Sequence, residues 1–154
     1  MLIAIDDLTR PEVHALLTAH LDAMHSTSPA DSVHALPIES LRETNVTVRT
    51  AWKGPTLLGI GALKELDPTH GEIKSMKTAT EALGKGVATA ILNELLATAV
   101  ARGYAAVSLE TGTDTNFYPA HRLYSRHGFL DCEPFAGYSV DPHSRFMTLS
   151  LDAD

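Results

Sequence analysis

The sequence has a single cysteine, few basic residues and no long apolar run. Because Cys132 is the only cysteine among 154 residues, no intrachain disulfide can form and no zinc site can be built from several thiolates. No apolar stretch approaches the roughly 20 residues that a membrane-spanning helix needs. Residues 1–7 lack the basic and long apolar regions of a signal peptide and are typical of a first strand. These absences predict a cytoplasmic protein.

The charge balance is acidic, and the apolar content is that of a folded domain. Twelve Lys and Arg residues against 19 Asp and Glu residues leave a net charge of -7. Such a surface repels phosphate backbones, which argues against nucleic acid as a general partner. A hydrophobic content of 44% supports a real core and excludes a disordered chain. No repeat or linker interrupts the chain, so we expect one domain over residues 1–154.

The sequence has eight histidines, but their spacing does not predict a metal site. No HExxH pattern occurs in the chain. The pairs His14/His20 and His121/His127 are each six residues apart, so their members point to different faces of a helix. We therefore expect no bound metal.

Hydrophobic periodicity predicts strands and helices with a hairpin near the middle of the chain. Strands are predicted over residues 2–5, 46–52, 56–63, 72–78, 104–110, 129–138 and 145–151. Helices are predicted over residues 10–24, 38–43, 87–102 and 116–127, the first behind a capping box from Thr9 to Glu12. Residues 25–36 are predicted as a loop. The strand at 72–78 is more polar than a core strand, which suggests that it faces a site.

A glycine-containing loop leads directly into the helix that starts at Val87. Gly84 and Gly86 would let an anionic group approach the unpaired N–H groups of the helix start, although an ordinary loop before a helix has the same composition. A Walker A pattern is absent. A dinucleotide fingerprint is the weaker match: Glu110 would suit a ribose contact, but Thr89 occupies the third glycine position.

The third template for this loop is the coenzyme A loop of the GNAT N-acetyltransferases, Gln/Arg-x-x-Gly-x-Gly/Ala. Gly86 and Ala88 fit it, while Leu83 stands where Arg or Gln is usual. Residues 70–78 and 122–129 look like the family's fourth strand and its Leu-Tyr-x-x-x-Gly-Phe signature. The chain therefore resembles the GNAT superfamily. Residues 32–36, 61–67 and 132–135 are most similar to the small bacterial YsnE-type acetyltransferases.

The resemblance implies an α/β (α+β) GNAT fold and an acetyl transfer reaction. The expected fold is a mixed, mostly antiparallel sheet of about seven strands, splayed at strands 4 and 5 and flanked by about four helices. The implied enzyme moves an acetyl group from acetyl-CoA, a co-substrate, to a primary amine of a small molecule or amino-acid-like acceptor by direct attack. Leu83 and Phe117 depart from the family pattern, which leaves a non-catalytic CoA-binding module as an alternative. The dinucleotide fingerprint leaves an NAD(P)-binding oxidoreductase as another.

The family pattern also implies roles for two side chains. Tyr124 matches the general acid that protonates the departing thiolate. Glu72 matches the general base, which is needed because an alkylamine with a pKa of about 10.4 is almost fully protonated at pH 7. The alternative for Glu72 is an ion pair with Lys74 or Lys77.

The residues expected to hold the coenzyme come from the fourth strand, the glycine loop and the start of the last long helix. The Met76 N–H is the expected donor to the thioester oxygen. Phe117 stands seven residues before Tyr124, where many members have Asn, and Asn116 is one position off that register. The full set is Met76, Lys77, Thr78, Leu83, Gly84, Lys85, Gly86, Val87, Ala88, Thr89, Asn116, Phe117 and Tyr124.

The acceptor side is expected to come from the first helix, the loop after it and the late strands. The candidates are His25, His34, Trp52, Tyr138 and His143. A homodimer is possible in such families, and no sequence feature decides it.

Overall fold

The computed structural model describes residues 1–27 and 38–151, with the side chains of 24–27 outside the description. The strands are β1 (Leu2–Ile5), β2 (Val46–Lys53), β3 (Thr56–Asp67), β4 (His70–Thr78), β5 (Ala106–Gly112), β6 (Leu130–Asp131) and β7 (Ser144–Ser150). The helices are α1 (Pro11–Thr27), α2 (Ile38–Leu41), α3 (Val87–Ala101) and α4 (Tyr118–Arg126). Short 3-10 turns at Thr80–Ala82 and Thr115–Phe117 precede α3 and α4. None of these helices is long and apolar enough to cross a membrane.

The seven described strands form one sheet in the order β1-β2-β3-β4-β5-β7-β6. Every neighbouring pair is antiparallel except β4 and β5, which α3 connects in parallel. The predicted mixed sheet of about seven strands and four helices is confirmed. The antiparallel run from β1 to β4 also excludes the doubly wound sheet that the dinucleotide alternative requires.

The two parallel strands separate partway along their length. Pairing joins His70–Ile73 of β4 to Ala106–Leu109 of β5 and stops there. β4 continues to Thr78 against β3 alone, and β5 continues to Gly112 against β7 alone. The expected splay at strands 4 and 5 is therefore present, and it opens a gap whose walls are strand edges.

A β-bulge in β4 lies at the edge of this gap. The β3–β4 register advances from Ile60↔Lys77 to Ala62↔Lys74, so Ser75 and Met76 together oppose Gly61. Ser75 adopts a positive φ of 57°. A Cβ at Gly61 would lie 2.5 Å from Met76 Sδ and 2.7 Å from Ile91 Cγ2. Glycine is required there because α3 and the bulged strand approach each other over that position.

Alternating side chains of the central strands pack into two hydrophobic cores, one on each face of the sheet. On one face, Leu63 and Ile73 pack with the apolar stripe of α3, including Ile91 and Leu95. On the other face, the strands pack with α1 and α2 in a cluster formed by Leu8, Val13, Leu17, Leu41, Val48, Trp52, Leu57, Ile60 and Ala62. The sheet is thus a middle layer that carries the splayed edge between two packed helix layers.

Three local predictions were wrong. α1 continues through Thr27 rather than ending at residue 24, and the Thr9 hydroxyl donates to Asp7 Oδ1 at 2.7 Å instead of capping the helix. The strand predicted over 129–138 is only Leu130–Asp131. Pro134 lacks an N–H for a strand ladder, and Ala136 has a φ of 51°, so the segment turns there. The Tyr138 N–H donates to the Phe135 carbonyl across that turn at 3.0 Å.

Candidate active site

The gap between β4 and β5 leads into a cavity of about 90 Å³. Its walls come from α1, the two splayed strands, the start of α4 and the segment after β6. The lining residues are His20, Glu72, Ile73, Lys74, Ser75, Met76, Glu110, Thr111, Phe117, Ala120, Tyr124 and Tyr138. Carboxylates, a lysine, an imidazole and two phenols thus face one small space.

Glu72, Lys74 and Tyr138 form a closed hydrogen-bonded triangle in this cavity. Lys74 Nζ donates to Glu72 Oε2 at 3.0 Å and to the Tyr138 hydroxyl at 2.7 Å. The Tyr138 hydroxyl donates to Glu72 Oε2 at 2.6 Å. The Lys74 and Glu72 side chains are only 8% and 4% exposed, so the ion pair is nearly dry. The alternative that paired Glu72 with Lys74 therefore describes the observed contact.

Aromatic packing holds Tyr138 over the triangle. Its ring makes edge contacts with Phe135 and a tilted contact with Phe146, at centroid distances of 5.2 and 5.6 Å. Burial, and then the charge of Glu72, raise the pKa of the Tyr138 phenol far above its ordinary value. The phenol therefore remains a hydrogen-bond donor at neutral pH. Tyr138 is the acceptor-side candidate that the structure brings into the cavity.

Tyr124 lies on α4 with its ring buried against Phe129 at a centroid distance of 5.7 Å. Burial, followed by the negative charge of Glu110, raises the pKa of its phenol far above the ordinary value. The hydroxyl is consequently protonated at every physiological pH. That is the form that a proton donor requires.

His20 is a cavity residue that sequence reasoning considered only for metal binding. It lies seven positions after Val13 and three after Leu17, both buried, so helical spacing already directed it toward the sheet. Burial, and then the positive charge of Lys77, lower the pKa of its imidazole to about 4. The ring is therefore neutral at pH 7.

Phe117 occupies the cavity wall at the position where the family pattern has Asn. Its ring lies against the backbone of Gly112, so closely that a Cβ on Gly112 would overlap the ring. Next to this contact, the His121 imidazole Nε2 bonds the Gly112 carbonyl at 2.8 Å and ties α4 to the end of β5. Asn116, one residue earlier, is exposed and does not line the cavity.

The loop before α3 is shaped to accept an anionic group. Gly84 and Gly86 have φ values of +74° and +80°, and a Cβ at either would meet nothing within 4 Å. No side chain caps α3, so its first N–H groups, from Val87 to Thr89, lack a side-chain acceptor. Leu83 and Lys85 are exposed, whereas the Val87 side chain is buried in the core and offers only its main chain.

Ser75 adds a second feature that fits a bound molecule. Its hydroxyl is buried at the bulge, lines the cavity and has no hydrogen-bond partner within the described residues. Beside it, the β4 edge from Lys74 to Thr78 has no β5 partner. An extended ligand can therefore hydrogen-bond the strand edge as an added strand would, with its anionic end at the glycine loop. These features fit coenzyme A in the order expected for its pantetheine and pyrophosphate parts.

The remaining acceptor candidates do not meet in the cavity. Trp52 is in the α1-side core, where its Nε1 donates to Thr50 Oγ1 at 2.8 Å and the Arg10 guanidinium covers its ring. His143 is exposed and does not line the cavity. His34 and the side chain of His25 lie outside the described residues. Within 1–27 and 38–151, no group of three or more possible metal ligands occurs.

Comparison with known proteins places these features in a family context. The model of the acetyltransferase (GNAT) family matches residues 11–129. YedL of Escherichia coli, named an uncharacterized N-acetyltransferase, is 52% identical over 149 residues, which cover 97% of this chain and 94% of YedL. YsnE of Bacillus subtilis, named in the same way, is 51% identical over 151 residues, covering 98% of this chain and all (100%) of YsnE.

Solved structures agree with the fold. A Klebsiella pneumoniae structure described as an acyl-CoA N-acyltransferase has a TM-score of 0.78 at 28% identity, covering 98% of this chain and 97% of that one. A Bacillus subtilis acetyltransferase solved in complex with CoA has a TM-score of 0.72 at 19% identity, with 97% of both chains covered.

Proposed function

Since the chain belongs to the GNAT acetyltransferase family, and is thereby an acyltransferase that uses acetyl-CoA, we propose that its acceptor is the primary amine of a small molecule or amino-acid-like compound. The observation that carries this proposal is the cavity at the splayed strands, where a protonated phenol and two carboxylates face one space of about 90 Å³. That volume suits the reacting end of a small acceptor better than a folded protein surface.

The charges that line the cavity favour a basic acceptor. Glu72 and Glu110 contribute two carboxylates, while Lys74 contributes one ammonium group that Glu72 already pairs. An amine arrives at neutral pH mainly as an ammonium ion. The excess of negative charge attracts that ion, and the overall charge of -7 attracts it from a distance.

Bound acetyl-CoA supplies the thioester that the amine attacks. In our proposal the main chain of the bulge, with the Met76 N–H foremost, donates to the carbonyl oxygen as negative charge develops on it. Tyr124 gives its phenolic proton to the sulfur as the C–S bond breaks. The glycine loop and the start of α3 hold the pyrophosphate, with Lys85 adding positive charge.

The proposed role of Glu72 follows from its contacts. Its Oε2 already accepts hydrogen bonds from Lys74 and Tyr138. These two bonds occupy the oxygen that would have to take a proton from the amine. We therefore propose Glu72 mainly as the group that positions Lys74 and Tyr138, and its role as base stays a prediction that substitution can test.

The proposal is tested first by ligand binding and then by turnover. Acetyl-CoA or CoA at about 100 times its dissociation constant adds about 2.7 kcal/mol of stability, a rise of roughly 5–10 °C in Tm. NADH and NADPH serve as controls and are expected to produce no rise. Thiol release is then followed with alkylamines, diamines, amino acids and, as a non-amine control, carboxylic acids. Binding of CoA without amine-dependent thiol release from any compound would instead favour the non-catalytic CoA-binding module.

A further inference from the structure

His20 presents an imidazole to the cavity without a hydrogen-bond partner among the described residues. The rings of His14, His70, His121 and His127 each bond a carbonyl or hydroxyl oxygen. His20 has no such bond to any residue that the structure describes, although it is partly buried and lines the cavity together with Tyr124 and Met76. A partly buried ring without a protein partner is available to hydrogen-bond a ligand or water.

The charged groups of the cavity and Tyr138 already have partners, and the Ser75 hydroxyl, which has none among the described residues, is not a base. Glu72, Lys74 and Tyr138 are bonded to one another. Glu110 makes contacts of its own and raises the pKa of Tyr124. His20 is therefore the side chain in the cavity that combines a neutral nitrogen base with unused hydrogen-bonding capacity in the described chain.

The surroundings of His20 keep its imidazole neutral, which is the form that can accept a proton. Lys77 on β4 disfavours the imidazolium form and, with burial, keeps the ring neutral at pH 7. The remaining titratable groups in the cavity are Glu72 and Lys74 on β4, Glu110 on β5, Tyr124 on α4 and Tyr138. The raised pKa values of the two phenols keep their protons on the phenol oxygens, and Glu72 holds the Lys74 ammonium, so none of these three groups protonates His20.

We propose that His20 is the catalytic base for the acceptor amine, an inference that rests on the proposed acetyl transfer. As the amine nitrogen bonds to the acetyl carbon, His20 takes a proton from that nitrogen through a free ring nitrogen. Tyr124 gives its proton to the sulfur, which leaves with the electron pair of the C–S bond. After this step His20 is an imidazolium and Tyr124 is a phenolate. Transfer of one proton from His20 to Tyr124, directly or through water, restores both side chains.

A weakly basic imidazole is sufficient for this step. Bond formation places positive charge on the attacking nitrogen, which makes its proton far more acidic than that of the free ammonium ion. An amine that enters as an ammonium ion loses its first proton to solvent, so one proton is released in each turnover.

The test compares His20→Asn with His143→Asn, which alters an exposed histidine that does not line the cavity. For His20→Asn we expect kcat with saturating acetyl-CoA and amine to fall by on the order of 10²-fold or more. The dissociation constant for acetyl-CoA should remain unchanged, and added imidazole should restore part of the rate in proportion to its concentration. His143→Asn should match the wild type in all three measurements.

Three results would overturn the inference. One is a kcat for His20→Asn within about twofold of His143→Asn. Another is a large loss that imidazole does not restore in a variant that still binds acetyl-CoA, because a structural role gives that result. The third needs no variant and uses NMR of the wild-type protein with CoA bound. The His20 ring resonances should shift when the acceptor amine is added, and unchanged resonances would show that the amine does not contact His20. If wild-type protein releases no thiol with any amine, the proposed function itself fails.

Discussion

The Tyr138 hydroxyl donates to Glu72 Oε2 across 2.6 Å, although 66 positions separate the two residues. The contact attaches the turn after β6 to the edge of β4, and Lys74 completes it from the same strand. Glu72 and Lys74 are two positions apart on β4, so their side chains point to the same sheet face. One loop residue thereby closes a cavity that two splayed strands leave open.

Removal of one member of the Glu72–Lys74 ion pair should destabilise the fold more than removal of both. Glu72→Gln leaves the nearly buried Lys74 ammonium without its counter-ion, which we expect to cost about 3 kcal/mol. Lys74→Met should cost a similar amount, and the double variant should recover part of the loss. Urea unfolding at pH 7 gives the coupling free energy. Additive losses would mean that the two charges do not interact.

The same variants separate the two roles considered for Glu72. If it positions Lys74 and Tyr138, Glu72→Gln and Tyr138→Phe should reduce kcat/KM by similar factors. If it is the base, Glu72→Gln should reduce kcat far more than Tyr138→Phe. The ratio of the two losses, measured in the thiol-release assay, distinguishes the roles.

Tyr124→Phe should lower kcat by on the order of 10²-fold while acetyl-CoA affinity is retained. Its phenol has a strongly raised pKa, so wild-type kcat should show no loss from ionisation of this group below about pH 10. Tyr118→Phe is the matched control because Tyr118 lies on the same helix but is half exposed and outside the cavity. Equal turnover in the two variants would remove Tyr124 as the acid.

His20 should make the stability of the protein depend on pH in a defined direction. Its folded pKa of about 4 lies below the ordinary value of 6.5, so the unfolded state binds more protons between these values. The free energy of unfolding therefore loses nothing to His20 well above pH 6.5 and decreases as the pH falls toward 4. Between pH 7.5 and pH 5 this decrease is about 2 kcal/mol. Unfolding titrations at both pH values should show a smaller loss for His20→Asn. An identical loss in both proteins would place the imidazole pKa near its ordinary value.

Gly86→Ala should affect both stability and coenzyme binding. The φ of +80° strains alanine, which costs about 1 kcal/mol. An added methyl group would also occupy the open space where we propose the pyrophosphate. Gly103→Ala is the control, since Gly103 has a φ of +79° beyond the other end of α3. Both variants should lower Tm, and only Gly86→Ala should raise the dissociation constant for CoA.

Much of the fold followed from local patterns in the chain. The apolar stripe of α3 and the β-branched hairpin strands have the periods of their structures, and both elements were confirmed within a few residues. The segment over 129–138 was misjudged because its aromatic residues have strand propensity, whereas Pro134 and Ala136 turn the chain. Those rings pack against Phe146 and hold Tyr138, a contact between distant segments that no local pattern contains.

Local sequence determined the family, the sheet order that goes with it and the glycine loop, because motif spacing and periodicity are properties of neighbouring residues. Tertiary structure alone decided the state of the chemical groups. The Glu72–Lys74 ion pair is nearly dry because Tyr138 returns to cover it. His20 is neutral because α1 buries it near Lys77. Charge and proton affinity depend on desolvation and on charges a few ångströms away, and folding sets these by joining segments that the sequence keeps apart.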